Sequence, residues 1–245
     1  MSAPGTAGRR YLEAAGRLVD RLAGEEWAAI ASAADLLAAT LERGGTIHAF
    51  GTGHSHMLAE ELYYRAGGFV RVKPILFEGL MLHAGAELAT SLERLPGVAA
   101  ALLDQHPIAP GDVLIVASNS GGNAVVRELA SLVHARGVPV IAIVSRAHAA
   151  SDASRSAGEP NIQDVAAVVI DNGGAPGDAA VHIDGLDRRV GPTSTVVGAA
   201  ALNAIVAEAA ERLVARGHRP EVFLSSNLEG GDVVNARLLQ DGTGR

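Results

Sequence analysis

The sequence predicts a three-layer α/β/α fold on a five-stranded parallel sheet, and three observations predict it. From Thr46 onward short apolar runs alternate with amphipathic stretches, the pattern of repeated βα units. Apolar residues make up 48% of the 245 but aromatics only 3%, so Ala, Val, Leu and Gly must fill the core, which suits helices packed closely on a sheet. Two of the apolar runs, Ile47 to Phe50 and Val113 to Ala117, each end in a turn of glycine and hydroxyl residues that opens a helix. Such a turn gathers backbone N–H groups, a hydroxyl and the positive end of a helix dipole, a setting for an anion such as a phosphate.

Taken in order, Tyr11, Ala15, Leu18 and Leu22 share one helical face, and Trp27, Ile30, Ala34, Leu37 and Leu41 share another. Gly24 parts them and Glu25 and Glu26 suit a helix start, so residues 9–43 read as a helical hairpin. It either covers a sheet face or packs on a second subunit. Strand one, Ile47 to Phe50, leads into a helix from Ser55 to Arg65 and a turn at Gly67-Gly68. Strand two is Val70 to Leu76, with Pro74 placing it at an edge. Helical stretches follow from Leu80 to Arg94 and from Val98 to Leu103. Pro110-Gly111-Asp112 launches strand three, Val113 to Ala117, a continuous apolar run of the kind buried on both faces. A helix from Ala124 to Ala135 ends at Gly137, strand four is Val138 to Val144, Arg146 to Gln163 is a loop with one helical turn, and strand five is Val165 to Ile170. An edge-like piece, Ala180 to Ile183, precedes Gly191-Pro192-Thr193-Ser194-Thr195, which caps a long helix with Leu202, Val206, Ala209 and Leu213 on its core face. A polar tail then ends in a short helix carrying Val233, Val234, Leu238 and Leu239. The whole chain, 1–245, reads as one domain: hairpin 9–43, α/β core 44–217 and tail 218–245.

Repeated right-handed βα units with this spacing suit a flavodoxin-like strand order, 2-1-3-4-5. In that order strands one and three are neighbours whose crossovers leave on opposite faces. A crevice opens there, and both hydroxyl-glycine turns border it.

Composition narrows the function. The formal charge is −7 with no basic run, which argues against nucleic acid as a partner. With no cysteine, disulfides and thiolate metal sites are excluded. Met1 to Gly8 has no signal-peptide core, and no window reaches the ~18 apolar residues of a spanning helix, so a soluble cytoplasmic chain without a membrane partner is expected. Gly51-Thr52-Gly53-His54-Ser55-His56 invites a dinucleotide reading, but His56 stands where the fingerprint needs its third glycine and strand two ends without a ribose-binding acid, so no cofactor is implied. Gly53-His54-Ser55-His56-Met57 also resembles a serine-hydrolase elbow, with Asp171 and His182 following in the right order. Met57 is large for that elbow, and the second turn stays unexplained. His54 and His56 diverge by about 200° on a helix, which is poor for shared metal ligation. No metal is expected; His54 should face the ligand and His56 be packed or solvated.

Together the turns point further. Phe50 to Ser55 and Ala117-Ser118-Asn119-Ser120-Gly121-Gly122-Asn123 resemble the two signature loops of SIS (sugar isomerase) domains, and Gly191 to Thr195 resembles that family's third element. The resemblance covers about residues 25–217. Gly51 to Met57 followed by Glu60-Glu61-Leu62-Tyr63-Tyr64-Arg65-Ala66-Gly67-Gly68 is similar to a bacterial group of single-SIS-domain proteins related to phosphoheptose isomerase and N-acetylmuramic acid 6-phosphate etherase. It implies a phosphorylated sugar or amino sugar as ligand. Ser55 stands at the first-loop phosphate ligand and Ser118 and Ser120 at those of the second. Gly51, Thr52, Gly53, His54, Asn119, Gly121, Asn123, Thr193 and Ser194 complete the binding set. Those relatives carry an essential Glu ten residues after the first-loop serine, where this chain has Arg65; Glu61 is one turn earlier. The etherase's Glu-Gly-Ala element resembles Ala84-Gly85-Ala86-Glu87, with His83 beside it and Glu78 nearer strand two. Candidate bases are therefore Glu61, Glu78, His83 and Glu87. Asn203 lies where phosphoheptose isomerase has a catalytic histidine, and an amide cannot take over its proton transfer.

The expected function is a cofactor-free isomerase or lyase that abstracts a proton next to a carbonyl. A non-catalytic sugar-phosphate sensor is the alternative, and a serine hydrolase using Ser55 the third reading. Family habit and the apolar hairpin imply a homodimer or homotetramer.

Overall fold

A computed structural model of the chain describes residues 5–151 and 160–242. Five strands form one parallel sheet: β1 (Ile47–Gly51), β2 (Val72–Ile75), β3 (Val113–Ala117), β4 (Val140–Val144) and β5 (Val168–Asp171). Their order is β2-β1-β3-β4-β5, as the repeat of βα units predicts. Alternation along the continuous apolar strands explains how both faces are filled. Ile47, Ala49, Ile115 and Ile143 join one core cluster, under helices α2 (Trp27–Glu42), α3 (His56–Leu62) and α8 (Ser194–Ala215). Phe50, Leu114, Val116 and Ala142 join the other, under α5 (Val98–Gln105) and α6 (Ala124–Ala135). No helix among the described residues is long and apolar enough to cross a membrane.

The helical hairpin is α1 (Ala7–Gly24) and α2. Glu25 and Glu26 do more than favour a helix start. Arg21 holds Glu25 at 2.8 Å, Glu26 at 3.1 Å and Asp171 at 3.1 Å, and Glu26 Oε2 accepts the backbone N–H of Asp171 at 3.0 Å. That network ties the hairpin to the carboxyl end of β5.

Several boundaries differ from the sequence reading, each for a local reason. The first helix stops at Leu62 rather than Arg65, because Tyr64 takes a left-handed φ of 42° and its ring packs edge-on against Phe223 of the tail, 4.9 Å away. Phe223 also exchanges backbone hydrogen bonds with Gly67 and Gly68, and Glu221 O accepts from Val70 N, so this stretch pairs with the tail and β2 begins only at Val72. The stretch from Leu80 to Arg94 is two 3₁₀ turns, Glu78–Leu80 and Leu82–Ala84, and then α4 (Ala86–Leu92), broken where Gly85 has φ 151°. β4 begins at Val140, after Val138 and Pro139. β5 starts three residues late because Asn161 and Asp164 close a capping box that bends the chain first. The single turn expected after Arg146 is α7 (Arg146–Ala149), capped by Ser145; residues 152–159 of that loop lie outside the described residues. The edge-like piece is a separate antiparallel pair, β6 (Ala179–Val181) with β7 (Val190–Pro192). Thr193 does not cap α8 with its side chain; Asp178, at φ 66°, does so instead. The tail helix is α9 (Gly231–Gly242).

Candidate functional site

The register pairs Gly51 at the end of β1 with Ala117 at the end of β3, which brings the two hydroxyl turns side by side. A narrow cleft of about 10 Å³ lies between them, with Ser55, Ser118, Asn119, Asn172, Ser194 and Thr195 as its polar lining. Among the described residues no Lys or Arg lines it.

The first turn depends on Gly51. A Cβ there would lie 2.4 Å from the carbonyl oxygen of Ser55 and 2.9 Å from its Cβ, so only glycine lets the chain fold back over the strand end. Gly53 follows at φ 56°, a conformation glycine adopts without strain. Ser55 N donates to Thr52 O at 3.0 Å in the 3₁₀ turn Gly53–Ser55. Ser55 precedes α3 without bonding that helix through its hydroxyl. His54 is exposed. His56 is braced by the Gly53 carbonyl through Nδ1, with Glu60 3.8 Å from Nε2 and the His83 ring 6.1 Å away.

The second turn is braced from outside. Ser118 Oγ accepts from Gly121 N at 3.1 Å, Asn172 Nδ2 donates to Asn119 Oδ1 at 3.1 Å, and Asn161 Nδ2 donates to Ser120 O at 2.8 Å. Gly121 has φ 67°, and a Cβ there would meet Asn161 Oδ1 at 2.3 Å. Ser120 does not line the cleft that Ser55 and Ser118 share. Asn123 sits at the start of α6 without a side-chain cap bond. At the third element Asp178 already occupies the helix start: its Oδ1 accepts from Thr193 N at 3.1 Å and Ser194 N at 2.9 Å, and its Oδ2 accepts from Ser194 Oγ at 2.5 Å.

The candidate bases are dispersed. Glu61 is committed to Arg65 and to Asn203, whose Nδ2 donates to Glu61 Oε1 at 2.7 Å. Glu78, His83 and Glu87 are exposed on the 3₁₀ turns and on α4. The structure adds a residue the sequence reading missed, Glu93. Its Oε2 accepts from Thr52 Oγ1 at 2.9 Å, and its carbonyl accepts from Val125 N at 3.2 Å, so one residue grips the first turn and the start of α6. In sequence Glu93 is one charge on a helical stretch, 41 residues from Thr52, and carries no local signal of this role. Among the described residues no group of three or more His, Asp or Glu is placed to hold a metal ion.

Fold and turns together define the class: an α/β domain with paired hydroxyl-glycine turns at the carboxyl ends of neighbouring strands. Comparison with known proteins agrees. The SIS domain profile matches residues 10–145. A UPF0309 protein of Listeria monocytogenes serotype 4b is 40% identical over 229 residues, 94% of this chain and 93% of that one. A UPF0309 protein of Brucella canis is 42% identical over 223 residues, 91% of this chain and 89% of that one. The chain belongs to the SIS domain family and is homologous along nearly its whole length to these UPF0309 proteins.

Solved structures share the fold at low identity. The sugar isomerase domain of an RpiR transcription factor from Sphaerobacter thermophilus superposes with TM-score 0.51 at 16% identity, covering 98% of each chain. A phosphoheptose isomerase from Francisella tularensis gives 0.51 at 16%, covering 88% of this chain and 100% of that one. The NanR protein of Vibrio vulnificus, solved with ManNAc-6P, gives 0.52 at 15%, covering 97% and 67%.

Proposed function

We propose that the chain binds a phosphorylated sugar or amino sugar between its two turns and moves a proton next to the sugar's carbonyl without a cofactor. The carrying observation is the cleft itself, where hydroxyls and amides of Ser55, Ser118, Asn119 and Thr195 converge at the ends of β1 and β3. Hydroxyls and N–H dipoles neutralise a phosphate without lysine, which suits an acidic chain. The fold neighbours named for phosphoheptose isomerase and bound to ManNAc-6P support the ligand class. Gly51, Thr52, Gly53 and His54 shape the first half of the site and Ser120, Gly121 and Asn123 the second. At the third element a phosphate competes with Asp178 for Thr193 and Ser194.

Glu93 joins Glu61, Glu78, His83 and Glu87 as a candidate base, and its carboxylate is the one among them hydrogen-bonded to the first turn. In this reading the base takes the proton from carbon 2 of the open-chain sugar phosphate and the pair of electrons moves to the carbonyl oxygen. Return of the proton to carbon 1 gives an isomer; loss of a neighbouring ether gives a lyase product. Such a base contributes about 10²–10⁴-fold in rate.

A sensor without turnover is the second reading. It is favoured by Glu61, whose carboxylate is held by Arg65 and Asn203. Incubating the protein with hexose-, heptose- and N-acetylhexosamine-6-phosphates in deuterated water separates the two: deuterium at carbon 2 supports the enzyme, and calorimetric binding without exchange supports the sensor. A melting temperature raised by millimolar phosphosugar in wild type and raised markedly less in Ser55→Ala with Ser120→Ala supports the phosphate assignment. An equal rise in both proteins refutes it. A fluorophosphonate that labels Ser55 would turn the reading toward a hydrolase.

Self-association as a homodimer or homotetramer is part of the proposal. Leu12, 69% exposed, and Trp27, 44% exposed, leave apolar surface on the hairpin. Light scattering that returns a monomer at working concentration removes it.

A further inference from the structure

A second cavity, of about 510 Å³, lies at the amino end of the sheet, opposite the hydroxyl turns. Three segments build it: 43–46 after α2, 70–73 leading into β2 and 107–112 leading into β3. They pack backbone on backbone because Gly45 has no side chain; a Cβ there would lie 2.2 Å from the carbonyl oxygen of Gly111. Arg43, Arg71 and Lys73 line the cavity. Arg71 is held by the Gly44 carbonyl at 3.1 Å, with Glu221 3.8 Å away. The side chains of Arg43 and Lys73 make no hydrogen bond or ion pair among the described residues.

The one acid in the lining, Asp112, is already occupied. Its Oδ1 accepts from Thr46 N at 2.8 Å and its Oδ2 from Ala109 N at 3.0 Å. Three cations against Asp112 and the Glu221 carboxylate beside Arg71 leave this a net cationic pocket in a chain of formal charge −7. His48 forms its inner wall, 3% exposed and in register with Lys73. His48 Nε2 lies 3.4 Å from Asp112 Oδ2 but is not aimed to form a hydrogen bond, and is left without a partner. Burial holds its imidazole below the ordinary 6.5 despite Asp112, so the ring is neutral at pH 7. A buried polar nitrogen left unpaired is costly and calls for an explanation.

We propose that this cavity is a second binding site, for a small phosphate-bearing molecule. Arg43, Arg71 and Lys73 take the phosphate oxygens, and the His48 ring closes the inner wall behind them. Guanidinium forks and an ammonium together match a group with several oxygens and at least two charges, more than a monocarboxylate offers. The volume lies within the range of about 300–1,000 Å³ typical of small-molecule pockets. Tyr63, half exposed on the same lining, offers an apolar wall for the ligand's organic part.

The test uses the full chain carrying Ser55→Ala and Ser120→Ala, so that one serine of each turn is removed and binding at the turns is weakened. Calorimetry with pyrophosphate is expected to give one site per chain. Adding Arg43→Gln and Lys73→Gln, both exposed side chains, should weaken it by about tenfold or more. His48 ring nitrogen resonances should shift on saturation. Absence of binding in the Ser55→Ala, Ser120→Ala chain, an unchanged Kd in the fourfold variant, a silent His48, or citrate binding as tightly as pyrophosphate would overturn the proposal. The reading of the hydroxyl turns would stand in each case.

Discussion

At its carboxyl end β1 runs into Gly51, Thr52 and Ser55, and the polar lining of the cleft there is hydroxyls and amides, with no Lys or Arg among the described residues. At its amino end the same five-residue strand begins beside Arg43, Arg71 and Lys73, with His48 buried between them and the core. One end offers fixed dipoles, the other mobile point charges. Dipoles built into turns are placed by backbone geometry, so they are sensitive to a single misplaced carbon and indifferent to salt. Point charges on long side chains tolerate such changes and respond to ionic strength.

The largest break in this comparison should come from Gly51→Ala. The added methyl meets Ser55 backbone, which has nowhere to yield, so the first turn shifts. Overpacking of this kind costs about 1–3 kcal/mol of stability, visible as a lower melting temperature, and phosphosugar affinity should fall below detection by calorimetry. Next, Glu93→Gln should reduce deuterium exchange at carbon 2 by about 10²–10⁴-fold while leaving phosphosugar binding within a few-fold, because the amide still accepts from Thr52. Exchange at the wild-type rate would return the role of base to Glu61, Glu78, His83 or Glu87.

A smaller effect sharpens the contrast directly. Raising ionic strength beyond about 0.15 M should weaken pyrophosphate at the amino end several-fold and phosphosugar at the turns much less. Equal salt dependence would mean that the two ends do not differ as described. Smallest is the effect of His48. Its folded pKa lies below the unfolded value, so between the two the unfolded chain binds more protons and stability falls as pH drops below about 6.5. His48→Gln should flatten that part of the melting-temperature profile by an amount near 1 kcal/mol or less.

The sheet was legible because strands such as Val113–Ala117 and Val140–Val144 are apolar without interruption, and because Pro74 marks an edge. The turns were legible because glycine and serine carry local conformational meaning. What escaped is long-range. Glu93 reaches Thr52 across 41 positions, Arg21 reaches Asp171 across 150, and Asp178 displaces Thr193 as the cap of α8 from outside that helix. Periodicity reports which face of an element is buried; it does not report which distant carboxylate a hydroxyl will find. For the same reason the helix predicted through Arg65 ended early, since its stop is written in Phe223 rather than in its own residues.

The pairing of Gly67 to Val70 with Glu221 to Phe223 has a bearing on how the molecule keeps to itself. The flank of β2 is where an incoming strand from another molecule would zip on, and there Pro74 offers no N–H while the residues just before the strand are already paired with the protein's own tail. Colloidal good behaviour in a concentrated solution is therefore expected to rest on a few residues remote from the hydroxyl turns. A tag or truncation that loosens Phe223 would be felt first as clumping, well before any loss of folding.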